Sequence, residues 1–257
     1  MNMMEIKWYV KQEPIYAGIS LKSVHDIREM NNMALHACKD EQTIVSNRQR
    51  LASSIGQPLE RFVCANQAHS ANVWKVTKTD IGSGAFSTKD AIPNSDALYT
   101  TEKDVVLCTF TADCVPVFFY NKQATIVGVI HSGWKGTVQE ITLKTFQHIN
   151  DTDQCQMTEM KVHLGMGLSE ARFEVDEDVA TKYKQLGYAD PFIRFNERTG
   201  KFHIDNQLVV KEQCKRAGIL EQHITIDRTC TYDSEYGFSY REQKDTGRHL
   251  GFIFQRK

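Results

Sequence analysis

The sequence predicts a single α/β (α+β) domain with mixed β-sheets flanked by helices. Three observations predict it. Three short apolar runs, Val105–Phe110, Val115–Tyr120 and Ile126–Ile130, are each bounded by polar turns. Their near-continuous hydrophobicity reads as strands covered on both faces. Segments with helical spacing accompany them, such as Val138–Ile149, with apolar residues at Val138, Ile141, Leu143, Phe146 and Ile149. Finally, no repeat, low-complexity tract or linker divides the 257 residues, so 1–257 reads as one domain.

In chain order, 21–60 reads as mostly helical. Ser46 and Asn47 are placed to cap or turn before a helix over Arg48–Ile55, which Gly56 stops. Arg61–Asn66 and Val73–Val76 read as strands. Lys78–Asn94 is polar and glycine-containing, hence a surface loop, and Asp96–Thr100 is a short piece turning into the next strand. After the central runs and the helix over Val138–Ile149 come a strand over Lys161–Leu164 and helices over Val175–Leu186 and Asn206–Ala217. Gly187 and Gly218 follow those helices as stop signals. Ile224–Ile226, Phe238–Tyr240 and Leu250–Phe254 read as closing strands.

Composition narrows the function. With 31 Lys+Arg against 32 Asp+Glu, the net charge of −1 lacks the footprint of a nucleic-acid or membrane-surface binder. Seven cysteines, an odd number without a C-x-x-C pair, do not form a secreted disulfide framework. The charged N-terminus lacks a signal-peptide apolar region, and no run of 18 apolar residues spans a membrane. The expectation is a cytoplasmic protein with reduced thiols. Gly-rich phosphate loops and the G-x-S-x-G elbow are absent.

Three segments carry the chemistry: Gln67–Val73, Thr111–Val117 and Ile130–Thr137. Cys114 follows a polar turn between two strands, and His131 ends a strand just before a Gly-containing turn and a helix. A cysteine with histidines at such positions either holds a metal with one open position or becomes a nucleophile activated by histidine. His69 supplies a second imidazole and favours the metal. The ordinary reading of Arg48 is a solvated helix charge, and that of Thr246-Gly247-Arg248 a salt-bridged turn.

Together these segments resemble the YfiH/YlmD-like, or laccase-domain, family. The resemblance rests on Asn47-Arg48 with Leu51, Gln67-Ala68-His69, Asp96–Thr100, Thr111–Val117, His131–Thr137, and the C-terminal Cys230-Thr231, Phe238–Arg241 and Thr246–Ile253. A variant of a further family segment lies at Asn31–His36. Gly165–Val175 departs from the family pattern, lacking its proline and cysteines. The resemblance implies a layered β-sandwich of the cytotoxic necrotizing factor type and zinc held by His69, Cys114 and His131. It implies phosphorolysis of adenosine, inosine, guanosine and methylthioadenosine, together with adenosine deamination. Catalytic roles would fall to Arg48, as a phosphate cation, to Cys114 and His131, and to Asp113 as a proton shuttle. The partners are purine nucleosides and phosphate. The older label, polyphenol oxidase, makes copper the alternative metal, but none of the nine histidines forms an H-x-H pair of the multicopper kind. A Cys/His hydrolase is the remaining alternative enzyme.

Overall fold

The structure, a computed structural model, describes residues 5–26, 28–123 and 125–257. It opens with a hairpin absent from the expected elements, β1 (Ile6–Gln12) and β2 (Ile15–Ser20). Helix α1 (Glu41–Ile55) leads to β3 (Phe62–Val63), β4 (Val73–Val76) and β5 (Ala97–Thr100). The central strands are β6 (Val106–Thr111), β7 (Val115–Asn121) and β8 (Val127–Ser132). Helices α2 (Trp134–Val138) and α3 (Ile141–Asp153) precede β9 (Met160–Leu164). A small unit follows, with β10 (Glu174–Val175), α4 (Glu177–Lys184), β11 (Ile193–Asn196) and β12 (Lys201–Ile204). Helix α5 (Asn206–Arg216), β13 (Ile224–Ile226) and β14 (His249–Gln255) complete the chain.

Five strands form one sheet in the order β1-β2-β14-β6-β3, and six form a second in the order β13-β9-β7-β8-β5-β4. Strands β10, β12 and β11 form a small third sheet. The two large sheets pack face to face through Ala17, Leu107 and Ile253 on one side and Leu98, Phe118 and Val129 on the other. The first sheet's outer face sets Cys108, Phe110 and Phe252 against Leu51, Ala52 and Ile55 of α1. The second sheet's outer face sets Val117, Phe119 and Val162 against Phe146 and Ile149 of α3 and Val210 of α5. The order of layers is therefore helix, sheet, sheet, helix. Successive residues of a strand point to opposite faces, so both faces of β6, β7 and β14 are apolar. That double burial explains the continuous runs, although β7 pairs antiparallel with both neighbours. No helix among the described residues is long and apolar enough to cross a membrane.

Several expected elements shift. Helix α1 starts five residues before Ser46, because Asp40 accepts from the backbone N–H of Gln42 and Thr43 and caps it. Asn47 is buried inside the helix, and its amide donates to the carbonyls of Arg28 and Asn32. The helix expected over Val138–Ile149 is two, broken where Glu140 takes a left-handed backbone (φ 62). The strand expected over Arg61–Asn66 is cut to Phe62–Val63, since the backbone beyond bonds to the loop at Ser83 and Ile92. That loop is only partly at the surface, with Ala85 and Ile92 buried. Asp96–Thr100 contributes a full strand between β4 and β8. Phe238–Tyr240 is not a strand. A Cβ at Gly237 would lie 2.0 Å from the Thr231 carbonyl oxygen, so this loop packs too closely on itself to extend.

His249 pins that loop to the sheet. Its Nε2 accepts from the Phe238 N–H at 2.8 Å, and its Nδ1 donates to the Ser20 carbonyl at 2.7 Å. Burial pushes the imidazole down to about 4, with the Lys22 charge adding to it against the Ser20 bond. The unfolded chain therefore takes up this proton first as pH falls from about 6.5 to about 4, and stability is lost across that window by roughly 3 kcal/mol. Urea midpoints measured from pH 7 to 4.5 should fall, and His249→Gln should flatten that fall. An unchanged slope in the variant would refute the assignment.

Candidate metal centre

Strand directions gather the site. β5 and β7 run antiparallel to β8, and β4 runs parallel to β5. The starts of β4, β5 and β7 therefore meet the end of β8. Cys114 immediately precedes β7, His131 is the second-last residue of β8, Asp96 precedes β5, and His69 lies in the loop entering β4. The first sheet adds its own edge. β14 is antiparallel to β6 with His249 opposite Thr111, so Arg248 stands at the same end. Here the chain crosses between sheets through Ala112-Asp113-Cys114.

The ligand atoms of His69, Cys114 and His131 all lie within 4.8 Å of one another. Among the described residues this is the one group of three or more His, Cys, Asp or Glu side chains placed to share a metal ion. His131 is buried, Cys114 half-buried and His69 exposed, which leaves one side open. Gly133 makes the close approach possible. A Cβ there would lie 2.7 Å from Cys114 Sγ and 3.0 Å from His69 Cδ2.

Asp96, given no role by the sequence, organises the site. Its Oδ1 accepts from His131 Nδ1 at 2.8 Å and from the His69 N–H at 3.1 Å. Its Oδ2 accepts from the N–H groups of Ala68 and Ser70 and from the Ser70 hydroxyl. Its carbonyl accepts from the His131 N–H at 2.7 Å. With Nδ1 engaged, His131 keeps Nε2 for a ligand. Burial alone would push the Asp96 carboxyl up, but the His131 and Ser70 bonds hold it at about 2.

The charges at Cys114 and His131 are coupled. Burial opposes ionisation of the Cys114 thiol, yet the charges and hydrogen bonds of His131 and His69 bring it down to about 6. Burial likewise opposes the imidazolium of His131, but the Cys114 charge and Asp96 raise it to about 9. Without a metal, the two groups form a thiolate–imidazolium pair. A metal ion would keep the thiolate and displace the imidazole proton.

The structure places the other two expected residues differently. Asp113 takes a left-handed backbone (φ 87). Its Oδ1 accepts from the Thr231 hydroxyl and its Oδ2 from the Arg241 N–H, so the carboxylate is turned to the C-terminal loop. Its carbonyl accepts from the Leu168 N–H, which ties the variant loop at Gly165–Val175 beneath the same turn. Arg48 is 2 % exposed and lies over the Phe110 ring at 4.8 Å. Its Nε donates to the Met33 carbonyl and its Nη1 to those of Gly84 and Ala85. The signals for Asp96 were an acidic residue opening an apolar strand and its place in a family-like segment.

Asp96→Asn should weaken metal binding about 10-fold to 100-fold by loosening His131 and the His69 segment. Gly133→Ala should do so by displacing Cys114 Sγ. Chelator competition reads the affinity and circular dichroism the fold. Wild-type affinity in both folded variants would contradict this account of the site.

The comparisons agree with this architecture. A family model described as multi-copper polyphenol oxidoreductase laccase matches residues 17–256. A protein named purine nucleoside phosphorylase YlmD, from Geobacillus stearothermophilus, is 35% identical over 235 residues, covering 88% of this chain and 84% of the relative. The Bacillus subtilis protein of the same name is 30% identical over 243 residues, covering 92% and 84%. The crystal structure of YlmD from Geobacillus stearothermophilus superposes with a TM-score of 0.90 at 31% identity, covering 95% and 93%. That of the Bacillus licheniformis hypothetical protein YfiH gives 0.89 at 27%, covering 94% and 93%. With the match running through both sheets and every segment of the centre, the chain belongs to the YfiH/YlmD-like laccase-domain family.

Proposed function

We propose that this protein is a zinc-dependent purine nucleoside phosphorylase of the cytoplasm. Its substrates would be adenosine, inosine, guanosine and methylthioadenosine with phosphate, and it would also deaminate adenosine. The observation that carries this reading is the open His69/Cys114/His131 cluster in a chain whose relatives are named purine nucleoside phosphorylases. Two imidazoles and a thiolate fit zinc, with a fourth position free. Zinc bound there would supply a Lewis acid for a water or substrate oxygen. Seven free cysteines suit a reducing compartment.

In phosphorolysis, a phosphate oxygen forms a bond to C1′ of the ribose as the C1′–N9 bond breaks. The electron pair leaves with the purine, which then takes up a proton. In deamination, water adds at C6 and ammonia leaves with the C6–N bond pair. Asp96 holds His131 in one orientation throughout. Asp113, whose oxygens already accept two bonds, acts by fixing the turn that delivers Cys114. Arg48 ties the Met33 and Gly84–Ala85 segments together.

Two other readings have an observation each. The Cys114–His131–Asp96 chain has the order of a Cys/His hydrolase triad. It has no need of His69. The family model's description favours copper, but a multicopper cluster needs more than the one metal-binding group found among the described residues.

Cys114→Ala and His69→Ala should both lower phosphate-dependent release of hypoxanthine from inosine by about two orders of magnitude or more. Both should also lower bound zinc. A His69→Ala protein that loses zinc but keeps full turnover would refute zinc dependence and favour the hydrolase. Stoichiometric copper with oxygen uptake on phenols would favour the oxidase.

A further inference from the structure

Resting on the phosphorylase reading, we propose that Arg248, rather than Arg48, seats the inorganic phosphate co-substrate, with His36 beside it. Phosphorolysis brings a doubly charged oxyanion to the ribose, and a guanidinium meets it best through two parallel N–H groups. Arg48 is poorly placed to do so. It is buried, it donates to three backbone carbonyls, and its plane lies over Phe110. It is a tie between loops.

Arg248 is built the other way. Its backbone is fixed: its N–H donates to Asn32 Oδ1 at 2.8 Å, and its carbonyl accepts from the Met33 N–H at 3.1 Å. It directly precedes His249, which pairs with Thr111, so it lies alongside the link that carries Cys114. Its Nη1 is used locally, donating to the carbonyls of Thr246 and Gly247. That steadies the head group and leaves the Nε and Nη2 edge without a protein acceptor among the described residues. No carboxylate among the described residues pairs with it within 4.0 Å. The Tyr240 ring backs the guanidinium at 5.6 Å.

The surroundings suit an anion. The two nearby carboxylates, Asp96 and Asp113, are taken up by hydrogen bonds within the protein. His36 stands edge-on to Phe110 at 6.0 Å, the ring that Arg48 covers. Burial, followed by the charges of Arg248, Arg48, His131 and His69, pushes its imidazole down to about 4. The guanidinium groups of Arg248 and Arg48 thus both bear on His36, and its neutral ring offers an N–H to a phosphate oxygen. The seat shares one end of the sandwich with the metal centre, as attack on a bound nucleoside requires.

The test uses zinc-loaded protein. Arg248→Ala should raise KM for phosphate about 10-fold to 100-fold, leaving KM for inosine and zinc content close to wild type. Arg248→Lys should recover part of the loss. Titration with inorganic phosphate alone, followed by phosphorus NMR, should show binding by wild type and not by Arg248→Ala. An unchanged phosphate KM in an active Arg248→Ala enzyme would overturn the seat and keep the phosphorylase. Phosphate binding that depends on Arg248, in a wild type releasing no base from any nucleoside, would keep the seat and overturn the phosphorylase.

Discussion

Asp96 accepts five hydrogen bonds at its carboxylate and one at its carbonyl, and the shape of the site depends on them. A buried carboxylate is costly unless its lone pairs are met. Here they are met by the loop that carries His69 and by the ring of His131. One desolvated charge thus fixes two members of the cluster, His69 and His131, that lie far apart in the chain. It also sets which nitrogen of His131 faces Cys114. Breaking a network of this kind leaves an unpaired charge, so the arrangement favours a single geometry over a range of near ones.

The sandwich supplies the frame for that node. The polypeptide leaves the first sheet at Thr111 and enters the second at Val115, and the short link between them carries Asp113 and Cys114. A left-handed residue in such a link costs energy that the surrounding contacts must offset. Thr231, Arg241 and Leu168 supply those contacts from two distant loops. The cysteine is presented because three separate parts of the chain agree on where the turn lies.

The fold was legible where burial is two-sided. Continuous apolar runs such as Val115–Tyr120 can only be satisfied between layers, so their strand character is plain from composition. The β1–β2 hairpin escaped because its outer strand is a short, half-buried sheet edge whose alternation is broken by a register shift between Trp8 and Val10. Phe238–Tyr240 misled because its residues favour strands while Gly237 packs against a neighbouring carbonyl. The His69/Cys114/His131 cluster was signalled by motifs, not spacing: His69 and Cys114 lie 45 residues apart, and only the shared sheet end brings them together. Asp96 and Arg248 were harder to see. Their importance lies in which partners they hold or lack, and a sequence does not display hydrogen bonds.

The two ends of the sandwich are unequal in one further respect. The far end holds the β1–β2 turn at Glu13-Pro14 and the β7–β8 turn after Asn121, and no described residue of either belongs to the His69/Cys114/His131 cluster or bonds to Asp96. Residues inserted there would lengthen a turn while leaving the strand register that gathers His69, Cys114 and His131 as it is. At the near end, one added residue in Ala112-Asp113-Cys114 would change the stagger between the sheets and move Cys114 off its partners. Divergence within the family therefore has a natural outlet in the far turns, and an affinity tag or fluorescent label spliced into them would leave the chemistry facing open solution.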